Sequence, residues 1–291
     1  PNRMSKPVKI YEGGPRDGLQ NEKAALTVQD KITFIDLLAQ AGCRYIEAGA
    51  FVSPKWVPQM AGTADIFKNL DRKQGVTYAA LVPNVKGMDM AIASNVTEIA
   101  VFAAASETFS QKNINATIDE SFERFAPVID MAKNHDITVR GYVSCIAGCP
   151  YEGDIAPSAI ADVCVRLNAL GCYEISLGDT IGAGTPDVID TVLKTVLNSL
   201  PAHKIALHCH DTRGHALDNI RAGLDNGVYV FDASTGGLGG CPYAPGASGN
   251  VATEAVVAML HDLGHATDID LNGLNKAAQF ITKRMRETNH V

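Results

Sequence analysis

Lys204-Ile205-Ala206-Leu207-His208-Cys209-His210, then a helical run from Ala216 through Leu224, then Val228-Tyr229-Val230-Phe231-Asp232, make one complete strand–helix–strand unit. The outer segments are short and largely apolar, and the segment between them carries apolar residues at helical spacing. Two strands joined through a helix run parallel, because the chain must cross back before it pairs again. Working outward, the same unit recurs along the whole chain. Earlier strands are predicted at Val8-Lys9-Ile10-Tyr11, Tyr45-Ile46-Glu47-Ala48, Thr77-Tyr78-Ala79-Ala80-Leu81-Val82 and Glu98-Ile99-Ala100-Val101-Phe102. Thr138-Val139-Arg140-Gly141-Tyr142-Val143 and Tyr173-Glu174-Ile175-Ser176-Leu177 bring the total to eight. Helical patterns separate them, as in Asp30 through Leu38, which Gly42 ends, and Val251 through Leu263. Eight alternating units point to a closed (β/α)8 barrel rather than an open doubly wound sheet. The barrel is expected to occupy residues 8–291 as a single domain, with an extra C-terminal helix from about Leu271 to Arg286. Residues 1–7 are expected to be a disordered or expression-derived N-terminus. No Gly-x-Gly-x-x-Gly fingerprint follows the first strand, which disfavours dinucleotide binding.

The composition agrees with a large soluble core: 46% of the 291 residues are hydrophobic and 20% charged. No apolar run reaches the roughly 18 residues of a membrane span, and the first residues lack a secretory hydrophobic stretch. The seven cysteines are odd in number and form no Cys-x-x-Cys pair, so reduced thiols in the cytoplasm are expected, rather than a disulfide framework. The C-terminal Thr288-Asn289-His290-Val291 carries no Ser-Lys-Leu-like address. A formal charge of −7 disfavours nucleic-acid binding but leaves room for an anionic small substrate.

In such a barrel the chemistry collects in the loops after the strands. Gly13-Gly14-Pro15-Arg16-Asp17-Gly18-Leu19-Gln20 follows the first strand, Gly178-Asp179-Thr180 the sixth, and Gly236-Gly237-Leu238-Gly239-Gly240-Cys241-Pro242-Tyr243 the eighth. Alternation along the seventh strand turns Ile205, Leu207 and Cys209 outward and Ala206, His208 and His210 toward the axis. Two ordinary interior histidines are the plain reading, but a side-by-side pair at a barrel mouth favours a metal. Asp17 and Asn250 would add oxygen donors. One carboxylate, two imidazoles and an amide suit magnesium or manganese better than tetrahedral zinc. Arg16, Lys55, Lys86 and Lys112 all fall beyond strand ends, and together would give an acidic protein a positive mouth.

The stretch Gly14-Pro15-Arg16-Asp17-Gly18-Leu19-Gln20-Asn21-Glu22 resembles the opening motif of the hydroxymethylglutaryl-CoA lyases. Phe51-Val52-Ser53-Pro54-Lys55-Trp56-Val57-Pro58-Gln59-Met60, Gly148-Cys149-Pro150-Tyr151-Glu152-Gly153 and the loop from Gly237 to Tyr243, continuing to Gly249-Asn250, are similar to later motifs of that family. The resemblance covers residues 8 to 290. It implies metal-dependent cleavage of 3-hydroxy-3-methylglutaryl-CoA to acetyl-CoA and acetoacetate, a reaction of leucine degradation and ketone-body formation. It further implies that Asp17, His208, His210 and Asn250 hold the cation, that Arg16 stabilises the enolate-like oxygen and that Cys241 is a catalytic thiol. Glu47 and Asp179 match site positions and Asn113 a substrate-pocket position. Arg16, Gln20, Lys55 and Lys112 complete the substrate-binding set expected here. The base is Asp17, His208 or a water between them. A homodimer is expected by resemblance. The chain departs from many members at Glu47-Ala48-Gly49-Ala50, where they carry hydroxyl residues; this bears on acyl preference.

Two other readings compete. Claisen-condensing synthases of the isopropylmalate or homocitrate type share the Arg-Asp motif and the His-x-His strand, but usually lack the Gly-Gly-Cys-Pro-Tyr loop. A non-catalytic metal or nucleotide-binding module on the same scaffold is the second, and it has no use for Cys241 in that loop. Cys241 as a small packing residue is the bland alternative. If Cys241 reacts with alkylating reagents, Cys149, in a loop of its own, is the expected competitor.

Overall fold

A computed structural model describes residues 6–240 and 248–289. Among them, eight parallel strands close into a barrel in sequence order. They are β1 (Lys9–Glu12), β2 (Tyr45–Ala50), β3 (Thr77–Leu81), β4 (Glu98–Ala104), β5 (Thr138–Ser144), β6 (Glu174–Gly178), β7 (Ile205–His208) and β8 (Val230–Ala233). The helices between them are α1 (Val28–Gln40), α2 (Thr63–Asn69), α3 (Val85–Ala93), α4 (Glu107–Ile114), α5 (Ile118–Asn134), α6 (Pro157–Leu170), α7 (Pro186–Leu197) and α8 (Ala216–Asp225). The helices α9 (Thr253–Asp262) and α10 (Leu271–Thr288) complete the chain. Every strand predicted from the sequence is present, with ends displaced by a residue or two.

The first helix shows how the ring is built. Thr27 and Asp30 form a reciprocal capping box that starts α1. Ile32, Ile35, Leu38 and Ala39 recur at helical spacing and are buried against the barrel. Gly42, with φ of +102°, turns the chain back toward β2, and a Cβ there would stand 2.2 Å from the Asp268 carbonyl oxygen. Only glycine meets both conditions. At the other end of the chain, α10 packs on α1, where Arg284 Nε donates to Asp30 Oδ1 at 2.9 Å.

The strand alternation read from the sequence holds. Leu207 and Phe231 point outward and press against Gly223 of α8 so closely that a Cβ there would lie 2.7 Å from Leu207 Cδ1. Their neighbours in the strands, His208 and Asp232, face inward as register partners. The barrel axis is unusual in its polarity. Glu47, Glu98, Arg140, Glu174, Ser176 and Asp232 are all buried, where branched apolar residues commonly fill such interiors. Buried charges are costly unless paired, and the central ones are: Arg140 Nε donates to Glu174 at 2.6 Å, and Lys9 Nζ reaches the same carboxylate at 3.2 Å.

Candidate active site

The mouth at the C-terminal ends of the strands opens on a cavity of about 320 Å³. Arg16 and Asp17 reach it on a single wide turn, Gly14–Gly18, directly after β1. The turn is anchored from below by Glu12, whose buried carboxylate accepts from Gly14 N at 2.8 Å and Thr235 N at 3.0 Å. Thr235 and Thr253 hydroxyls donate to the same group. One carboxylate thus ties the loop after β1 to the segments after β8.

β7 ends at His208, two residues earlier than the sequence suggests, because the chain there changes partner. His210 forms an isolated bridge with Asn250, supported by Asp211 N to Gly249 O at 2.7 Å and Val251 N to Cys209 O at 3.3 Å. The same pairing keeps Val251 and Ala252 extended, so α9 begins at Thr253 rather than at Val251. Both imidazoles nonetheless share one side, with ring centroids 5.4 Å apart. Asp17, His208 and His210 offer ligand atoms that all lie within 4.8 Å of one another and could hold a metal ion. Asn250 Oδ1 lies 2.9 Å from His208 Nε2, and its Nδ2 donates to the Leu238 carbonyl at 3.2 Å. That second bond sets the amide orientation and turns the oxygen toward the cluster. His210 Nδ1 donates to the Thr180 carbonyl at 3.0 Å, leaving Nε2 for the cavity. Gly239, with φ of +92°, passes so close that a Cβ would sit 2.7 Å from Asn250 Nδ2. The donor set, one carboxylate, two imidazoles and one amide oxygen, fits a divalent cation.

Electrostatics follow from these contacts. Burial would push the Asp17 carboxyl up, but the Arg16 guanidinium and the hydrogen bond with His208, at 3.2 Å, outweigh it and hold it far below the usual range. Burial likewise opposes the His208 imidazolium, yet Asp17 and Asp232 on either side raise it to about 10. His210 is lowered to about 4 by burial and by its neighbour His208. Arg16 pairs with Glu47 through Nε, and its Nη1 donates to Gln20 Oε1 at 3.1 Å. Tyr142 Oη donates to the other Glu47 oxygen at 2.7 Å. Glu47 sits at a bulge where the β2–β3 register shifts between Glu47 and Gly49. The bulge is held by Thr63, whose Oγ1 stands 2.9 Å from Ala50 O and 3.3 Å from Ala50 N.

Arg16, Asp17, Gln20, Asn113, His208, His210 and Asn250 all line the cavity. Glu47 stands behind Arg16. Asp179 is buried away from the cavity wall, where it accepts from Ala183 N at 3.1 Å and Gly184 N at 2.8 Å and fastens the turn after β6; burial pushes its carboxyl up. Lys55 and Lys112 lie past their strands as expected but do not line the cavity. Lys112 Nζ instead stands 4.9 Å from the Tyr151 ring, and Lys86 borders a separate cavity between α2 and α3. Cys241 lies outside the described residues. Cys149 is buried, its Sγ 3.0 Å from Ser106 Oγ, so the loop position that marks it as an alkylation competitor does not expose it. Sequence reasoning missed Tyr142, Arg140, Ser176 and Asp232. A charged residue inside an otherwise apolar strand was the available signal for Arg140 and Asp232.

Fold and site together define a class: a (β/α)8 barrel with a carboxylate–histidine–amide cluster and an adjoining Arg–Glu pair at its mouth. The chain belongs to the HMGL-like family, whose model matches residues 7–281. It is 52% identical over 286 residues to the 3-hydroxy-3-isohexenylglutaryl-CoA/hydroxy-methylglutaryl-CoA lyase of Pseudomonas aeruginosa, covering 98% of this chain and 95% of that one. The hydroxymethylglutaryl-CoA lyase of Pseudomonas mevalonii is 53% identical, over 97% of this chain and 94% of its own. The crystal structure of the Brucella melitensis HMG-CoA lyase superposes with a TM-score of 0.95 at 53% identity, covering 97% of this chain and 100% of that one.

Proposed function

We propose that this chain is a hydroxymethylglutaryl-CoA lyase, a carbon–carbon lyase that cleaves 3-hydroxy-3-methylglutaryl-CoA to acetyl-CoA and acetoacetate. The observation that carries the reading is the meeting of Asp17, His208 and His210 within 4.8 Å, beside Arg16, in a chain of this family. Asp17, His208, His210 and Asn250 would hold a magnesium or manganese ion, which when bound would supply Lewis-acid polarisation of the substrate's tertiary alcohol. The alcohol proton leaves toward the Asp17 carboxylate or a water beside it. The C–O bond becomes a ketone as the C2–C3 bond breaks, and its electron pair passes into the thioester enolate of acetyl-CoA. Arg16, backed by Glu47 and Tyr142, meets the enolate oxygen as its charge develops. Cys241 returns a proton to the enolate carbon, so products and substrate balance. Gln20 and Asn113 orient the acyl chain from the cavity wall, Lys55 and Lys112 attract the anionic coenzyme from further out, and Asp179 keeps the turn after β6 in place.

The active unit is proposed to be a homodimer in the cytoplasm. Among the described residues no helix is long and apolar enough to cross a membrane. Product analysis after incubation with 3-hydroxy-3-methylglutaryl-CoA and magnesium tests the reading: acetyl-CoA and acetoacetate are expected. Condensation of acetyl-CoA with a 2-oxo acid, without cleavage, would replace it by the synthase reading. Val52, Val57, Leu81, Phe102, Phe109 and Val143 form an apolar side of the cavity, which favours a second, wider reading. A longer 3-alkyl branch would also be accepted, in line with the Pseudomonas aeruginosa relative, a 3-hydroxy-3-isohexenylglutaryl-CoA/hydroxy-methylglutaryl-CoA lyase. Comparing kcat/KM for the methyl and isohexenyl substrates decides it.

A further inference from the structure

Asp232 ends on the barrel interior directly opposite His208 in the β7–β8 register. Its Oδ2 lies 2.9 Å from His208 Nδ1. The same carboxylate accepts from Arg140 Nη1 at 3.0 Å, from Arg140 Nη2 at 2.5 Å and from Ser176 Oγ at 2.6 Å. Arg140 cannot swing away. Glu174 takes its Nε at 2.6 Å, the Tyr11 ring lies 3.9 Å from its guanidinium carbon, and the side chain is wholly buried. Four strands, β5, β6, β7 and β8, therefore converge on one carboxylate whose position is fixed from three sides.

A guanidinium has only donors, so the oxygens facing it must accept. The bond between Asp232 and His208 is then Nδ1–H to Oδ2. This leaves Nε2 as the atom presented to Asp17 and Asn250, 3.2 Å and 2.9 Å away. Had the ring turned over, the cluster would lose a donor atom and the buried carboxylate a partner. Ligating histidines generally hold their second nitrogen this way, and loss of the partner weakens metal binding.

We propose that Asp232, anchored by Arg140 and Ser176, is the positioning residue that fixes His208 with Nδ1–H inward and Nε2 toward the metal. The inference rests on the metal-site reading of Asp17, His208, His210 and Asn250. Asp232 touches neither metal nor substrate and acts only through the imidazole.

The test is Mn2+ titration of the purified protein, followed by the loss of the free-ion electron paramagnetic resonance signal. Asp232→Asn should bind Mn2+ roughly 10- to 100-fold more weakly, with its near-ultraviolet circular dichroism retained. In a His208→Ala background the same substitution should cause no further loss, an outcome that a general loosening of the barrel would not give. Because Asp232→Asn also takes a partner from buried Arg140, Ser176→Ala provides a gentler variant and should weaken binding several-fold. The unaltered protein supplies a measurement free of folding effects. With 15N-labelled histidine and saturating Mg2+, the His208 proton should reside on Nδ1. A folded Asp232→Asn protein with unchanged Mn2+ affinity, or a proton on Nε2, overturns the proposal. Failure of the unaltered protein to take up Mn2+ overturns the metal-site reading itself, and the proposal with it.

Discussion

Asn250 Oδ1 stands 2.9 Å from His208 Nε2, a contact between residues 42 positions apart in the chain. It joins the end of β7 to the segment before α9, and it places an amide oxygen among groups that would otherwise repel or merely bridge one another. The cluster is expected to bind a divalent ion when the protein is active. Treatment with a strong chelator should abolish cleavage, and magnesium or manganese should restore it. His208→Ala and Asn250→Ala should each weaken metal affinity, His208→Ala more, since it removes a ligand with a fixed ring. Full turnover in a preparation shown by elemental analysis to be metal-free would contradict this.

Arg16 is set apart from the cavity's other polar groups by its support. Glu47 holds its Nε, Tyr142 holds Glu47, and Gln20 takes Nη1. A cation fixed before substrate arrives costs no reorganisation as negative charge develops. Arg16→Gln is expected to lower kcat by roughly 100- to 1,000-fold, the usual effect of losing one such donor, with a much smaller rise in KM. Steady-state kinetics on the folded variant would show this. An unchanged kcat with a raised KM would limit Arg16 to ground-state binding.

Asp30 links both ends of the described chain. Its carboxylate accepts from Thr27 N at 3.0 Å in the capping box of α1 and takes Arg284 of α10 at 2.9 Å and 3.4 Å. Burial would raise its carboxyl, but Arg284 and Thr27 outweigh that and lower it. A carboxyl with a folded value below its unfolded one, about 3.9, stabilises the protein at pH above that unfolded value. The contribution is lost as pH falls through the depressed folded value. Solvent around Arg284 screens the pair, so Asp30→Asn should cost only about 1 kcal/mol at neutral pH. Thermal melts should show a lower Tm for Asp30→Asn at pH 7 and a narrower gap near pH 3. A gap that widens on acidification would reverse the assigned sign.

The fold was legible because its signal is repetitive. Eight strand segments alternate with helical periods, and one unit such as β7–α8–β8 implies parallel pairing and an inward His208. The metal cluster was legible for the same reason, since i and i+2 on a strand share a face. What the sequence concealed are contacts between strands distant in the chain. Arg140 and Asp232 are 92 residues apart, and nothing local pairs them; only barrel closure does. For Lys55 and Lys112 the sequence shows the strand end but not the distance from the cavity, whose lining includes neither. A position just past a strand end does not by itself bring a side chain to the cavity: α4 carries Lys112 Nζ to 4.9 Å from the Tyr151 ring. The bulge after Glu47 was hidden as well, because it depends on Thr63 reaching back to Ala50 from the next helix.

Cys241 is the remaining acid–base group of the proposed reaction, and the other six cysteines sharpen its test. Cys43, Cys145, Cys149, Cys164, Cys172 and Cys209 are all buried. Burial raises Cys145, Cys164 and Cys172 to about 12, and pushes Cys43 and Cys209 up as well. Thiolates are the reactive form, so these five should alkylate slowly. Cys149 is shielded by packing against Phe109 and by its contact with Ser106. Inactivation by a thiol reagent is therefore expected to track label on Cys241, and bound substrate or a non-cleavable acyl-CoA should protect it. Cys241→Ser should leave the melting temperature and metal affinity unchanged, because no metal ligand is altered. Turnover should nevertheless fall by at least roughly 100-fold, since a general acid commonly supplies 100- to 10,000-fold and a serine hydroxyl is far less acidic than a thiol with its ordinary value of about 8.5. Peptide mapping of the alkylated protein and kinetics of the serine variant make the comparison. Label appearing first on Cys149 would show that its packing opens readily, and would leave the role of Cys241 to the kinetics. A serine variant that turns over at the unaltered rate would remove Cys241 from the reaction and return it to the status of a small packing residue.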